Sequence, residues 1–239
     1  MTRGDAGDAL KQGMGRGGSH AGETRVRNVL VTAEVALALM LLVAAGLLVR
    51  TLWELHAVNA GIDPRNVVTM SVILPRPQYA KPEQRGRFTD EMLRRVRALP
   101  GVTSAGTIDS LPLDDGGSMQ PVAIEGEPPR PLSEQPELAV RVITPGYLDT
   151  LRMHVIEGRD FTDADTDGRP LAVLISASTA RRFWPSASPI GKHVTLGLID
   201  DHPREVVGIV SDVRVHGLNS TDTQTIYTPY GQNRSGYQA

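Results

Sequence analysis

The chain contains no cysteine, so neither a disulfide framework nor thiol chemistry enters its account; that is compatible with an oxidising exterior without requiring one. It also lacks an excess of either charge. The 25 basic and 27 acidic residues leave a net charge of −2, which argues against a nucleic-acid partner, because such a partner normally demands a basic patch. Catalytic signatures are missing as well: there is no His-Glu-x-x-His pair for zinc, no G-x-S-x-G elbow and no Gly-rich phosphate loop with its lysine. The six histidines are scattered, and no two stand four residues apart. Asp114-Asp115 and Asp200-Asp201 are neighbouring acids in turn-like sequence, where solvation explains them without general acid–base work. The expectation is a non-enzyme with no catalytic residue, cofactor or metal.

Two motifs match only in part. Gly13-Met14-Gly15-Arg16-Gly17-Gly18 has the spacing of a dinucleotide loop, but no strand leads into it and no helix N-terminus follows to aim amides at a pyrophosphate. Asp163-Ala164-Asp165-Thr166-Asp167-Gly168 copies the first half of a calcium loop. Leu174 stands where the bidentate acid is needed, so a carboxylate-rich turn is the expectation there.

What the chain does have is one long apolar run, Val29 to Val49, whose only ionisable residue is Glu34. As a helix it would be roughly 31 Å long, against a hydrocarbon core of about 30 Å. This predicts a single transmembrane helix. Lys11, Arg16, Arg25 and Arg27 precede it, and only Arg50 follows before Arg65, which keeps the N-terminus cytoplasmic and the body outside. A cleaved signal peptide is the rival, but its apolar region would be about 7–15 residues and would end in a small-x-small site. Here the run leads instead into Arg50-Thr51-Leu52-Trp53, with Trp53 suited to the outer interface. Glu34, Ala38, Leu41 and Ala45 share one stripe of this helix; such a face either packs on other transmembrane helices or, at Glu34, snorkels to the headgroups.

The expected organisation is a flexible cytoplasmic segment 1–28, the span 29–49, a stalk and linker 50–65, a body 66–230 and a tail 231–239. The stalk continues the helix to Val58, and Asn59-Ala60-Gly61 ends it. Val67 to Leu74 reads as a buried strand. Pro82 to Leu99 reads as an amphipathic helix with Phe88, Met92, Val96 and Leu99 inward, and Val102 to Asp109 as a second strand, together a β-α-β unit with parallel strands. Beyond a Pro/Gly-rich excursion come strands near 121–125, 138–143 and 171–175, a helix to Leu151, a turn at Gly158–Phe161 and a helix to Trp184 capped by Ser176 or Ser178. A hairpin follows from 193–198 to 205–215, and then a last strand at 225–228. The fold class is α+β: one N-terminal transmembrane helix and a mixed α/β extracytoplasmic domain with β-α-β units.

Six stretches in order resemble one family. Ala33-Glu34-Val35-Ala36-Leu37-Ala38-Leu39 in the span is similar to the first helix of a permease half. Leu99-Pro100-Gly101-Val102, Ile156-Glu157-Gly158-Arg159-Asp160-Phe161-Thr162, and Phe183-Trp184-Pro185 with Ser188-Pro189-Ile190-Gly191-Lys192 are similar to corners of a MacB-like periplasmic core. Val206 to Arg214 and Ile226-Tyr227-Thr228-Pro229 complete the set. The resemblance is to ABC transporter permeases of the MacB/FtsX superfamily, the duplicated orphan permease group in particular. It implies a bacterial inner-membrane protein whose extracytoplasmic domain takes up motion driven by a separate cytoplasmic ATP-binding subunit, alongside other permease helices or subunits, for export. Gly158, Arg159, Asp160, Phe161, Pro189, Gly191 and Lys192 are then fold-defining turn residues. Full family subunits carry further membrane helices, so a partial permease is the expectation, with a membrane-anchored ligand- or protein-binding module as the alternative.

Overall fold

The structure is a computed structural model that describes residues 19–57, 61–75, 77–112, 117–213 and 224–233. It divides into two units, residues 1–58 and 59–239. The first contains one helix, α1 (Ser19–Ala57), of 39 residues. Arg25–Trp53 within it is long and apolar enough to cross a membrane. Every residue of that stretch is exposed, which is costly for Leu, Val and Met side chains in water and costs nothing in lipid. The helix runs on unbroken to Ala57; the stop foreseen at Asn59-Ala60 lies outside the described residues, as does the glycine motif at 13–18.

The second unit holds α2 (Pro82–Arg97), β1 (Ser118–Ile124), β2 (Glu137–Ile143), α3 (Tyr147–Leu151), β3 (Val155–Gly158), β4 (Ala172–Ser176), α4 (Ala177–Phe183), β5 (His193–Leu196), β6 (Pro203–Val210) and β7 (Thr225–Pro229). The seven strands lie in the order β3-β6-β4-β7-β2-β1-β5, and β5 pairs with β6 as well. Six strands therefore close into a ring, which removes the open edges that a flat sheet would leave. Val122, Leu138, Val140, Val173, Ile175, Val194, Leu196, Val206 and Ile226 fill its inside. Their neighbours of opposite parity, Ile143, Ala172, Leu174 and Tyr227, face outward, where Tyr147, Leu148 and Leu151 of α3, together with Met153 and Phe161, cover them.

Most strands fall where alternation and β-branching placed them, with β1 starting three residues before the expected stretch. Ser176, not Ser178, caps α4, its hydroxyl accepting from the Thr179 amide at 3.3 Å. β3 was not foreseen. Its four residues are all exposed and antiparallel to β6, and they present no buried alternation to read.

Two expectations fail. No β-α-β unit forms over 67–109. Residues 67–74 form no strand and pair with none among the described residues, and of 102–109 only Ile108 makes an isolated antiparallel bridge, to Ile143. A strand exists only when a neighbour takes its main-chain groups, and here none does. The parallel unit stands elsewhere: β4 and β6 are parallel, joined through α4 and β5, and β2 and β7 are the other parallel pair. The buried stripe of α2 is also different. Gly86, Thr89 and Leu93 are its buried residues, while Leu99 is 57% exposed and Phe88 stacks edge-on against Tyr79 at 5.4 Å. Polar ties set that rotation: Thr89 Oγ1 donates to Tyr230 Oη at 3.2 Å, and Arg97 Nη2 donates to the Ala105 and Pro145 carbonyls at 2.8 and 2.6 Å.

Candidate functional site

The family-like turns come together on β6. Gly158, at the end of β3, has φ +80°, and an added Cβ would stand 2.3 Å from the Val207 carbonyl oxygen, so only glycine fits. The next amide, Arg159 N, donates to that same carbonyl at 3.0 Å. Arg159 then forks onto Asp165 with two bonds of 2.9 Å, and Thr162 N donates to Asp165 Oδ2 at 2.8 Å. Burial opposes the charged form of Asp165, but the guanidinium fork and the Thr162 amide outweigh it and hold the carboxyl below its ordinary range. Asp160 caps its own turn, accepting from Phe161 N at 2.6 Å, and burial pushes its carboxyl up. Phe161 is 3% exposed and plugs the outer cluster.

One residue along β6, the second turn attaches. Gly191 N donates to the Val206 carbonyl at 2.9 Å, and Val206 N donates to that of Lys192 at 2.8 Å. Pro189 is buried, and Ile190 packs on the inner cluster. Lys192 Nζ lies 3.5 Å from Glu125, whose other oxygen takes both the His193 amide and its Nδ1 at 2.8 Å. The His193 contacts hold the Glu125 carboxyl below its ordinary range. Glu125 was not singled out from the sequence, since an acid in a Pro/Gly-rich stretch is ordinary until a strand end comes to face it. The same holds for Asp212, which accepts from Ser178 N at 2.6 Å and from Arg181 Nη2 at 2.8 Å and so ties α4 to the end of β6.

These side chains organise turns and do not converge on a reacting atom. Asp165 is turned inward into the Arg159 fork, away from any calcium-like ring with Asp163 and Asp167, and among the described residues no three His, Asp or Glu side chains gather as metal ligands. The Ser176 hydroxyl lies 3.0 and 2.9 Å from those of Ser178 and Thr179, but it serves the cap of α4 and accepts the Thr225 amide at 3.1 Å. Two buried arginines were also missed. Register sets Arg204 opposite Val194 on the inner face, with Asp200 Oδ2 at 2.6 Å as an ion-pair partner, and burial pulls its pKa down. Arg141, 2% exposed, donates to the Ser118 and Val140 carbonyls. Two clefts open on the surface, of about 270 Å³ beside Arg130, Gln135 and Arg182 and of about 470 Å³ beside Arg159, Arg169 and Glu205. Glu34, Ala38, Leu41 and Ala45 lie along one side of α1, all exposed.

Residues 29–238 match the family model of the MacB-like periplasmic core domain. The uncharacterized ABC transporter permease YknZ of Bacillus subtilis (strain 168) is 29% identical over 104 residues, 44% of this chain and 25% of YknZ. The chain thus spans a quarter of the length of that curated relative. Among solved structures, the periplasmic region of MacB from Actinobacillus actinomycetemcomitans is 17% identical with a TM-score of 0.43, covering 61% of this chain and 56% of that one. The extracellular domain of the noncanonic ABC-type transporter YknZ from Gram-positive bacteria is 24% identical with a TM-score of 0.41, covering 63% and 66%.

Proposed function

The chain belongs to the family of MacB-like periplasmic core domains, and from that premise we propose that it is the membrane-anchored extracytoplasmic part of an ABC-type transporter permease, passing ATPase-driven motion across the membrane for export. The observation that carries this is continuity: the family match takes in both the apolar helix and the body as one stretch, and α1 continues past the end of its apolar window to Ala57. A helix that leaves the bilayer unbroken is a stiff lever, at about 1.5 Å per residue. The absence of converging chemistry among the described residues suits a transmitter of motion. A single span has no sealed interior for a solute, so the reading requires other permease helices and a cytoplasmic ATP-binding subunit as partners, with the N-terminus inside and the body outside the plasma membrane. The stripe Glu34, Ala38, Leu41 and Ala45 is the proposed packing face.

Reporters placed after Gln232 test the orientation: an enzyme active only outside the cytoplasm should light up there, and a cytoplasmic fluorophore should stay dark. The reverse pattern would sink the topology. Purification of the full chain from its native membrane should bring with it an ATP-hydrolysing subunit, and Glu34→Leu should reduce that yield. A preparation with no associated ATPase activity under mild detergent would remove the permease reading.

A further inference from the structure

We propose that the cleft between the Pro-rich turn after β1 and the end of α4 binds a small organic carboxylate with an apolar body, the acid group received by Arg182 and Arg130. The cleft has its cause in the sequence. Val122 N donates to the Pro136 carbonyl at 3.0 Å, but Pro128, Pro129 and Pro131, which lie between, have no main-chain N–H to lay on β1. The turn therefore stands off the strand, and Gln135 Nε2 closes it on itself by donating to the Arg130 carbonyl at 3.2 Å. What stays open is about 270 Å³, close to the lower end of ligand cavities at roughly 300–1,000 Å³. Ile124 of β1, the prolines of the turn and Phe183 of α4 give it apolar walls.

The charge on these walls selects the ligand. Arg182 Nη1 donates to Gln224 Oε1 at 2.6 Å, and its guanidinium carbon stands 5.0 Å from the centre of the Phe183 ring. Both contacts are with neutral groups, so they hold the guanidinium in place without cancelling its charge. On the other wall Arg130 Nη2 donates to Glu127 Oε2 at 3.2 Å, a half-exposed ion pair of the kind worth little in water. Among the charged residues that line the cleft, Arg130 and Arg182 outnumber Glu127 by one. A single carboxylate balances that excess, and a guanidinium fork matches its two oxygens. An ion without a body would leave the proline and Phe183 walls wet, and a neutral molecule would leave Arg182 unanswered. The space admits a body the size of one aromatic side chain. This site goes beyond the permease reading and does not depend on it, because binding is measured on this chain alone.

N-acetyl-phenylalanine is the probe and Trp184 the reporter. The Trp184 ring centre lies 6.2 Å from that of Phe183, and Trp53→Phe leaves it the one tryptophan of the chain. Titration of the full chain in detergent micelles should give a saturable change in Trp184 fluorescence, with a Kd on the order of 1 mM for a ligand of this size. The amide of the same molecule has the body without the charge, and acetate has the charge without the body. Each should bind about ten times more weakly or worse. Arg182→Gln should weaken the acid by a similar factor, and Arg182→Lys, which keeps the charge and loses the fork, should fall between. Glu127→Gln frees Arg130 and should tighten binding about two- to threefold. Arg169→Gln, in the other cleft, should change nothing. An unaltered emission maximum in each unliganded variant shows that the fold around Trp184 is intact. The proposal is overturned if the amide binds as tightly as the acid, or if Arg182→Gln matches the parent. A change that never saturates, or that is the same in every variant, is partition into the micelle and also overturns it.

Discussion

The two halves of the second unit put the same kind of sequence to opposite uses. Residues 117–233 close their strands into a ring, and Val122, Val173 and Ile226 are wholly buried inside it. Residues 61–112 carry equally β-branched runs, yet Val68 and Ile73 lie open, and α2 is held by a few side-chain ties such as Thr89 to Tyr230. The difference lies in neighbours and not in composition. β-propensity describes fitness for a pleated, half-buried surface, and it stabilises a strand only where another strand supplies the ladder.

Truncations on either side sharpen that contrast. Ile175→Ala, within the ring, should cost about 2–5 kcal/mol of unfolding free energy, since the closed sheet cannot collapse onto the cavity. Denaturant unfolding followed by Trp184 fluorescence in a Trp53→Phe background measures it. A loss below about 1 kcal/mol would mean that the ring is looser than described.

Gly158→Ala forces a side chain into left-handed backbone against a carbonyl and should cost more than about 1–3 kcal/mol. Gly101→Ala has nearly the same φ, +87°, but open space beyond its Cβ, and should cost only about 1 kcal/mol. Equal effects at the two positions would show that strain alone, and not the contact with Val207, is what β6 imposes.

Ser176→Ala removes the cap of α4 together with acceptors for the Thr179 and Thr225 amides, and should cost about 1–2 kcal/mol.

The acid limb of stability tests the Arg159–Asp165 fork. The folded carboxyl of Asp165 titrates below its ordinary value, so the fork's contribution is complete above the unfolded pKa of roughly 3.9 and is lost as pH falls through the folded value. Asp165→Asn should therefore be less stable at neutral pH and should converge with the parent under acid. Parallel curves would place the source of acid sensitivity elsewhere.

The smallest effect belongs to the open half. Ile73→Ala should change the stability of the dilute body by no more than about 0.5 kcal/mol, a surface value. A large loss would mean that the segment already has a partner within its own body.

The long apolar helix, the strands other than β3 and a serine cap for α4 were legible in residue order, because each rests on local physics: an unbroken apolar length, two-residue alternation and a hydroxyl at a helix start. The turns at Gly158 and Gly191 could be located, but not their shared seat on Val206 and Val207 of β6, which lies 15 and more residues away in sequence. Tertiary structure alone decided three things. It closed the sheet through β5 and β6, it buried Arg141 and Arg204, and it left Val67–Ile73 without a strand partner among the described residues. The physical reason is common to all three. Alternation specifies which face of a strand is apolar, but the partner that meets its edge is a property of the whole assembled sheet.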